Sequence, residues 1–307
     1  MRIVECKLVG EYNNQPAGNR AYKEDELSVT LRLTNNCNYN CDYCVYHSKE
    51  PWVEPKEFYS IAELLYKTNR NNYEFYVHGG EPSLHPEFVS IINYISNLFK
   101  DKHLLMQVQT NLSMDISVYL DARSSYLVSY HHHRVEDIGK FLEKLNKLRD
   151  VGKLVCIDFM LEQGDFDEVI SAFKIMMSAG YEEYLRPRVV SGKEYTQYKN
   201  LCDLFADDDR KYQITFEDGG SVIIPESYVG DTNFRFMKCY ARRNKVLIEP
   251  NGDYYYCMTH KLEGGLGRVK NIFLNQAEFL DSLKEPLICM WKKCFCELDL
   301  RKYRDVP

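Results

Sequence analysis

The sequence predicts an α/β protein: a partial (β/α)6 barrel followed by a small C-terminal unit of β-hairpins and a helix. Three observations predict it. Between residues 27 and 190, six strand-like stretches alternate with helix-like ones across short links. That rhythm makes a parallel sheet covered by helices, and right-handed crossovers curl it. The residues richest in chemistry stand where the strand-like stretches end, the edge at which such sheets bind ligands. Past residue 200 the rhythm gives way to hairpins, so the chain divides into an extension (1–26), a barrel (27–200), and a linker with the smaller unit (201–307).

Each element has a local reason. RIVECKLV (2–9) reads as a strand ahead of polar residues rich in Gly and Asn. LSVTLRLT (27–34) is the first barrel strand, and SIAELLYKTNR (60–70) the first helix. NYEFYVHGG (72–80) is a strand ending in glycines. PEFVSIINYISNLFK (86–100) has apolar residues at helical spacing, with Pro86 near its start. HLLMQVQTN (103–111) and YLVSYHHH (126–133) are the third and fourth strands. VEDIGKFLEKLNKLRDVG (135–152) is an amphipathic helix closing on Gly152. KLVCIDFML (153–161) is the fifth strand, DFDEVISAFKIMMSAG (165–180) a helix ending at Gly180, and EEYLRPRVV (182–190) the sixth strand. YQITFEDGGSVIIPESY (212–228) and KVLIEPNGDYYYCMT (245–259) read as hairpins, the second turning at Asn251-Gly252.

Composition narrows the function classes. The 307 residues are 45% hydrophobic and 27% charged, ordinary for a soluble globular protein. Apolar runs fall far short of a membrane span, and MRIVECKLVG has neither a long apolar region nor a cleavage site. No membrane partner and a cytoplasmic location are the expectation. The net charge of −6 argues against nucleic acid as the main partner. Eleven cysteines, an odd count with clear clusters, point to metal or redox chemistry in a reducing compartment rather than a disulfide scaffold.

The first cluster is NNCNYNCDYCVYHSKE (35–50), with Cys37, Cys41 and Cys44 spaced C-x3-C-x2-C. Four thiolates close a zinc tetrahedron or fill a ferredoxin-type cluster; three on a [4Fe–4S] cube leave one iron open to a small molecule. A zinc knuckle completed by His47 or a distant cysteine is the alternative. The second strand ends in HGGEP (78–82), where two glycines permit close backbone approach and Glu81 offers a partner for an ammonium group. A tight turn before a helix would use the same residues.

The cysteine loop after the first barrel strand, with Tyr43 just before its third cysteine, resembles the signature of radical S-adenosylmethionine (SAM) enzymes. The resemblance covers roughly residues 27 to 190 and implies a partial (β/α)6, TIM-like barrel. It implies that Cys37, Cys41 and Cys44 hold a [4Fe–4S] cluster whose open iron chelates SAM. Reductive cleavage of SAM then releases a 5′-deoxyadenosyl radical that abstracts hydrogen from an unactivated carbon. In this family the equivalent of Gly79, Gly80, Glu81 and Pro82 holds the amino group of SAM. Tyr43 becomes an adenine neighbour. Thr110 and Asn111 stand where the family has polar residues facing the cofactor, and Ser129 where it places a carboxylate or ribose contact.

Strand alternation puts Ser129, His131 and His133 on one face. The triple histidine is not a family hallmark; His131 and His133 are candidates for acid/base catalysis, substrate contact or metal ligation, or simply polar residues at a wet strand end. Arg186, or Arg188, reaches a carboxylate or pairs with a helix. Asp158 points into the barrel or is structural. Cys156 reads as core.

A second set of cysteines, Cys239, Cys257, Cys289, Cys294 and Cys296, opens as C-x12-G-x4-C with Gly252. A structural zinc site is one reading. The pattern resembles the SPASM and shorter Twitch auxiliary-cluster domains, and its C-x4-C-x-C ending fits one auxiliary [4Fe–4S] cluster, as in Twitch. Cys239 and Cys257 would be ligands, with two of the other three completing the set. The resemblance implies an oxidoreductase or maturase with an electron donor such as flavodoxin or ferredoxin. Modification of a peptide or protein of the ribosomal-peptide type leads as the implied function, with radical oxidation or rearrangement of a small molecule such as a sugar, aminocyclitol or nucleotide as the alternative. The 26 residues before the first barrel strand are too few for a winged-helix peptide-recognition domain, which weighs against a peptide. A zinc-stabilised binding protein is the non-enzymatic alternative.

Overall fold

Alternation along each strand decides which face meets the helices. A computed structural model describes residues 3–8, 25–41, 44, 50–161, 166–189, 211–216, 221–225, 238–239, 241–256 and 270–288. Strand β1 (Ile3–Leu8) is followed by the first barrel strand, β2 (Glu26–Thr34). Leu27, Val29, Leu31 and Leu33 of β2 are fully buried, and Arg32 and Thr34 alternate with them. From there the units run α1 (Pro55–Tyr66), β3 (Asn72–Gly79), α2 (Phe88–Leu98), β4 (His103–Thr110), α3 (Ile116–Asp121), β5 (Ser125–His131), α4 (Ile138–Asp150), β6 (Leu154–Leu161), α5 (Phe166–Ser178) and β7 (Leu185–Val189). Strands β2 to β7 pair in parallel, each beside its neighbour in sequence. This is the expected α/β arrangement, and among the described residues the sheet does not close on itself.

The core lies between the sheet and its helices. Tyr73, Phe75 and Val77 of β3 join Phe58, Ile61 and Leu65 of α1 and Phe88, Ile91, Ile92 and Ile95 of α2. Each such buried side chain contributes about 1.5–3 kcal/mol. The helix ends behave as their sequences suggest. Gly152 and Gly180 take φ of 69° and 80°, the left-handed geometry of a C-terminal cap.

Several boundaries differ from expectation. Helix α1 begins at Pro55, with proline in its first turn, rather than at residue 60. Strand β5 stops at His131, where its pairing with β6 ends, and His132–Arg134 form a 3-10 turn. The expectation that His133 shares a strand face with Ser129 and His131 is thereby corrected. Glu182–Tyr184 also form a 3-10 turn, so β7 starts at Leu185. Helix α3 has no counterpart among the expected elements; its signal is Asp115, whose carboxylate accepts the Ser117 N–H at 2.9 Å as an N-cap.

Both hairpins form. Strands β8 (Lys211–Phe216) and β9 (Ser221–Pro225) are antiparallel, and β1 adds beside β8. A short β10 (Lys238–Cys239) precedes α6 (Ala241–Asn244). Strands β11 (Lys245–Ile248) and β12 (Asp253–Tyr255) form the second hairpin, with Gly252 at φ 83° in its turn. That hairpin extends the barrel's own sheet, because β11 pairs in parallel with β2. After β13 (Lys270–Asn271) and α7 (Gln276–Ser282), β14 (Leu287–Ile288) pairs with β10.

Candidate active site at the carboxyl ends of the strands

The three-cysteine loop leaves the end of β2 and is tied down at once. The Gly80 N–H donates to the Thr34 carbonyl and the Glu81 N–H to the Asn36 carbonyl, both at 2.8 Å. The contact is too tight for any side chain. A Cβ on Gly79, which also has φ 149°, would lie 2.1 Å from the Thr34 oxygen, and one on Gly80 2.2 Å from the Asn36 oxygen. The glycine pair therefore lets the end of β3 dock on the loop. Asn36 closes the loop's base through two 2.8 Å bonds with the Glu50 backbone, one donated and one accepted by its amide.

Within the loop, the Cys44 N–H donates to the Cys41 carbonyl at 2.9 Å and the Tyr39 N–H to Cys37 Sγ at 3.4 Å. Burial pushes the Cys37 thiol up to about 11, the Tyr39 hydrogen bond opposes it, and the nearby Glu81 charge adds to it. The strands opposite grip residues 38 to 41. Asn111 donates its amide to Asn38 at 3.0 Å, and Arg134 donates to the Asn40 carbonyl. His131 Nδ1 stands 3.7 Å from Cys41 Sγ, with the Tyr39 ring edge-on to its imidazole at 5.6 Å.

Glu81 is the hub behind this surface. It is 1% exposed, and its Oε1 accepts from the Ser83 N–H at 3.1 Å, the Ser83 hydroxyl at 2.5 Å and the Thr110 hydroxyl at 2.8 Å. Its Oε2 accepts from the Asn111 N–H at 2.6 Å. Burial raises its carboxyl above the usual range, and these hydrogen bonds oppose the rise. Pro82 opens the 3-10 turn that follows. Thr110 lies with Val108 on the helix-facing side, next to Tyr119.

The opposite face of the sheet carries a polar row that the sequence reading passed over. The Tyr76 hydroxyl donates to Gln109 Oε1, the Gln109 amide donates to Ser129 Oγ at 3.3 Å, and His78 stacks on Tyr76. In register, Ser129 stands beside Asp158 and Asp158 beside Arg186. Alternation within NYEFYVHGG and HLLMQVQTN held the signal, since Tyr76, His78 and Gln109 oppose buried Phe75, Val77 and Val108. His132 is turned aside, 3.3 Å from Glu168. Cys156 is buried at 1% exposure. Tyr43, His47, Cys257, Cys289, Cys294 and Cys296 lie outside the described residues, and Cys239 lies in β10.

The donor set fits an iron–sulfur cube: three thiols on one short loop, none in a disulfide. Among the described residues, no three ligand side chains converge on a point for a single metal ion. Thiolates on a cube each take a different iron and so stand apart.

Comparison with known proteins agrees with this architecture. The chain matches GTP 3',8-cyclase of Haemophilus influenzae at 28% identity over 102 residues, which cover 32% of this chain and 29% of that enzyme. It matches the Haemophilus ducreyi GTP 3',8-cyclase at 24% identity over 48% of each chain. The chain thus spans under half the length of these curated relatives. Its fold resembles Streptococcus suis SuiB bound to precursor peptide SuiA, with a TM-score of 0.57 and 13% identity over 84% of this chain and 64% of SuiB. It also resembles anSMEcpe with bound AdoMet and a Cp18Cys peptide, with a TM-score of 0.59 and 18% identity over 83% of this chain and 80% of that one. Residues 31–189, more than half of the chain and the stretch that carries the cysteine loop and strand ends just described, match the family model of the radical SAM superfamily, and the chain belongs to that superfamily.

Proposed function

We propose that the chain is a radical SAM enzyme in which Cys37, Cys41 and Cys44 hold a [4Fe–4S] cluster, leaving one iron for SAM. The observation that carries this reading is the three-thiol loop docked on the ends of β3, β4 and β5 through Gly80, Asn111, His131 and Arg134. When bound, cluster and SAM supply a 5′-deoxyadenosyl radical for hydrogen abstraction. The chain's residues hold and orient. Residues 79–82 receive the amino group of SAM, with Glu81 fixing their position and that of Asn111. Tyr43 flanks the adenine; Ser129 and Arg186 complete the cofactor's surroundings, and Thr110 supports them from the helix side through its bond to Glu81. The polar row of Tyr76, His78 and Gln109 faces the substrate.

An auxiliary [4Fe–4S] cluster on Cys239, Cys257 and two of Cys289, Cys294 and Cys296 completes the reading, with the barrel over 27–200 and the auxiliary unit over 201–307. Pairing of β10 with β14 supports it, because Cys239 is the register partner of Leu287, two residues before Cys289 in sequence. The substrate is a peptide or protein, modified with electrons from a flavodoxin or ferredoxin in the cytoplasm. Oxidation or rearrangement of a small molecule such as a nucleotide is the second reading, favoured by the GTP 3',8-cyclase relatives.

Iron analysis with SAM turnover under dithionite tests this. About eight irons per chain, with 5′-deoxyadenosine formed, is the expected result. Cys41→Ala should abolish SAM cleavage, whereas Cys257→Ala should lose about four irons and keep part of it. Bound zinc without 5′-deoxyadenosine would overturn the enzyme reading in favour of a zinc-stabilised binding protein.

A further inference from the structure

We propose that His131 is a positioning residue for the cluster's electronics: it donates its Nδ1 proton to Cys41 Sγ and raises the potential at which the cluster takes up an electron. This rests on the reading of Cys37, Cys41 and Cys44 as cluster ligands. Three observations place the imidazole. Alternation on β5 puts His131 on the same face as Ser129, opposite the buried Val128 and Tyr130. The strand ends there, and the Val135 N–H donates back to the His131 carbonyl at 3.1 Å, so the chain turns away from the sheet. The ring then stands with Nδ1 3.7 Å from Cys41 Sγ and with the Tyr39 ring edge-on to it.

The direction of the hydrogen bond follows from chemistry. A cluster-bound thiolate carries no proton and can only accept, so the proton must sit on Nδ1. One-electron reduction adds negative charge that spreads onto the sulfurs. A donor aimed at one of them stabilises the reduced state more than the oxidised one, which raises the potential. No net proton transfer is involved; the electron comes from the external donor. The loop does not depend on His131 for its position, because Asn111 holds Asn38, Arg134 holds the Asn40 carbonyl, and Asn36 holds Glu50. His131 can thus be replaced with the loop still docked.

The test compares full-length wild type with His131→Ala and His131→Asn, each reconstituted with iron and sulfide. Iron content is measured first, then the midpoint potential of the Cys37/Cys41/Cys44 cluster by redox titration followed by electron paramagnetic resonance, without SAM. All three proteins should carry the cluster. The midpoint should fall in His131→Ala and return toward wild type in His131→Asn, whose amide N–H can stand near the Nδ1 position. Cluster retained by the Asn variant but lost from His131→Ala would make His131 a support for the loop and overturn the proposal. A fully loaded His131→Ala with the wild-type midpoint overturns the proposal, as does an Asn variant that shifts like Ala. Loss of the cluster from both variants makes His131 a structural support and also overturns it. Wild type without this cluster would instead sink the reading of the site itself.

Discussion

Glu81 Oε2 accepts the backbone N–H of Asn111 at 2.6 Å, and this bond, with the one from the Thr110 hydroxyl to Oε1, joins the turn after β3 to the end of β4. Because Asn111 also holds Asn38 of the cysteine loop, the carboxylate acts on the loop through one intermediary. Removing it strands buried donors. Glu81→Ala leaves the Ser83 and Asn111 N–H groups without their acceptor, at a cost of about 1–3 kcal/mol each. Glu81→Gln keeps the shape and one acceptor oxygen, and should cost about half as much. Urea unfolding of the apoprotein gives both values. Equal stability of Glu81→Ala and wild type would show that this hub does not hold the strand ends.

The same carboxyl makes stability depend on pH. Burial raises its folded value above the ordinary 4.5, against the hydrogen bonds from Asn111, Ser83 and Thr110. The folded chain therefore keeps this proton to higher pH than the unfolded chain does. Stability from Glu81 is fully present below 4.5 and is lost as pH rises through the raised folded value. Glutamine does not titrate. The difference in unfolding free energy between wild type and Glu81→Gln should thus decline as pH rises across that window. A difference that is flat with pH, or that grows, would contradict the raised value.

Gly80 predicts a separation of loading from folding. An added Cβ would meet the Asn36 carbonyl at 2.2 Å, and a backbone oxygen cannot swing aside, so the loop itself must move. Gly80→Ala should cost about 2–3 kcal/mol and reduce iron at the Cys37/Cys41/Cys44 site. Gly152→Ala is the control: nothing lies within 4 Å of its added Cβ, and only its φ of 69° is strained. It should cost about 1 kcal/mol and load iron normally. Equal iron in both variants would mean that the close approach of β3 to the loop is not needed for loading.

What the sequence made legible follows from where the information lies. The strands at 27–34, 72–80, 103–111 and 153–161 were readable because alternation and glycine or polar ends mark them locally, and short links then imply consecutive parallel pairing. Helix α3 escaped because its six residues are too few to show a helical period, although Asp115 marked its start. The strand end at His131 escaped because three histidines continue the polar character with no turn residue among them. Contacts across the site were beyond local patterns: Cys41 meets His131 from 90 positions away. The placement of β11 beside β2 is likewise a long-range pairing, with Val246 opposite Val29. Tyr76, His78 and Gln109 differ in kind, since simple alternation already set them on the open face.

The pairing of β11 with β2 is secured by an ion pair whose removal should be felt in both stability and iron content. Arg32 Nη1 stands 2.6 Å from Glu249 Oε2, with the two side chains only 4% and 13% exposed. Arg32 lies on β2, and Glu249 directly follows β11 and accepts the Gly252 N–H at its carbonyl, so the pair ties the barrel to the hairpin turn. Charges this shielded from water interact strongly but are costly to separate, because the remaining carboxylate keeps its desolvation penalty. Arg32→Met should therefore destabilise by about 3 kcal/mol, while Arg32→Met with Glu249→Leu should recover most of that loss. Strand β12 ends at Tyr255, two positions before Cys257. Loosening the hairpin should accordingly lower iron at the auxiliary cysteines before it affects the Cys37/Cys41/Cys44 loop. Urea titration of the four proteins in the double-mutant cycle, with iron counted before unfolding, measures both effects. Strict additivity of the two single losses would show that Arg32 and Glu249 act independently and that the hairpin is held by its backbone pairing alone.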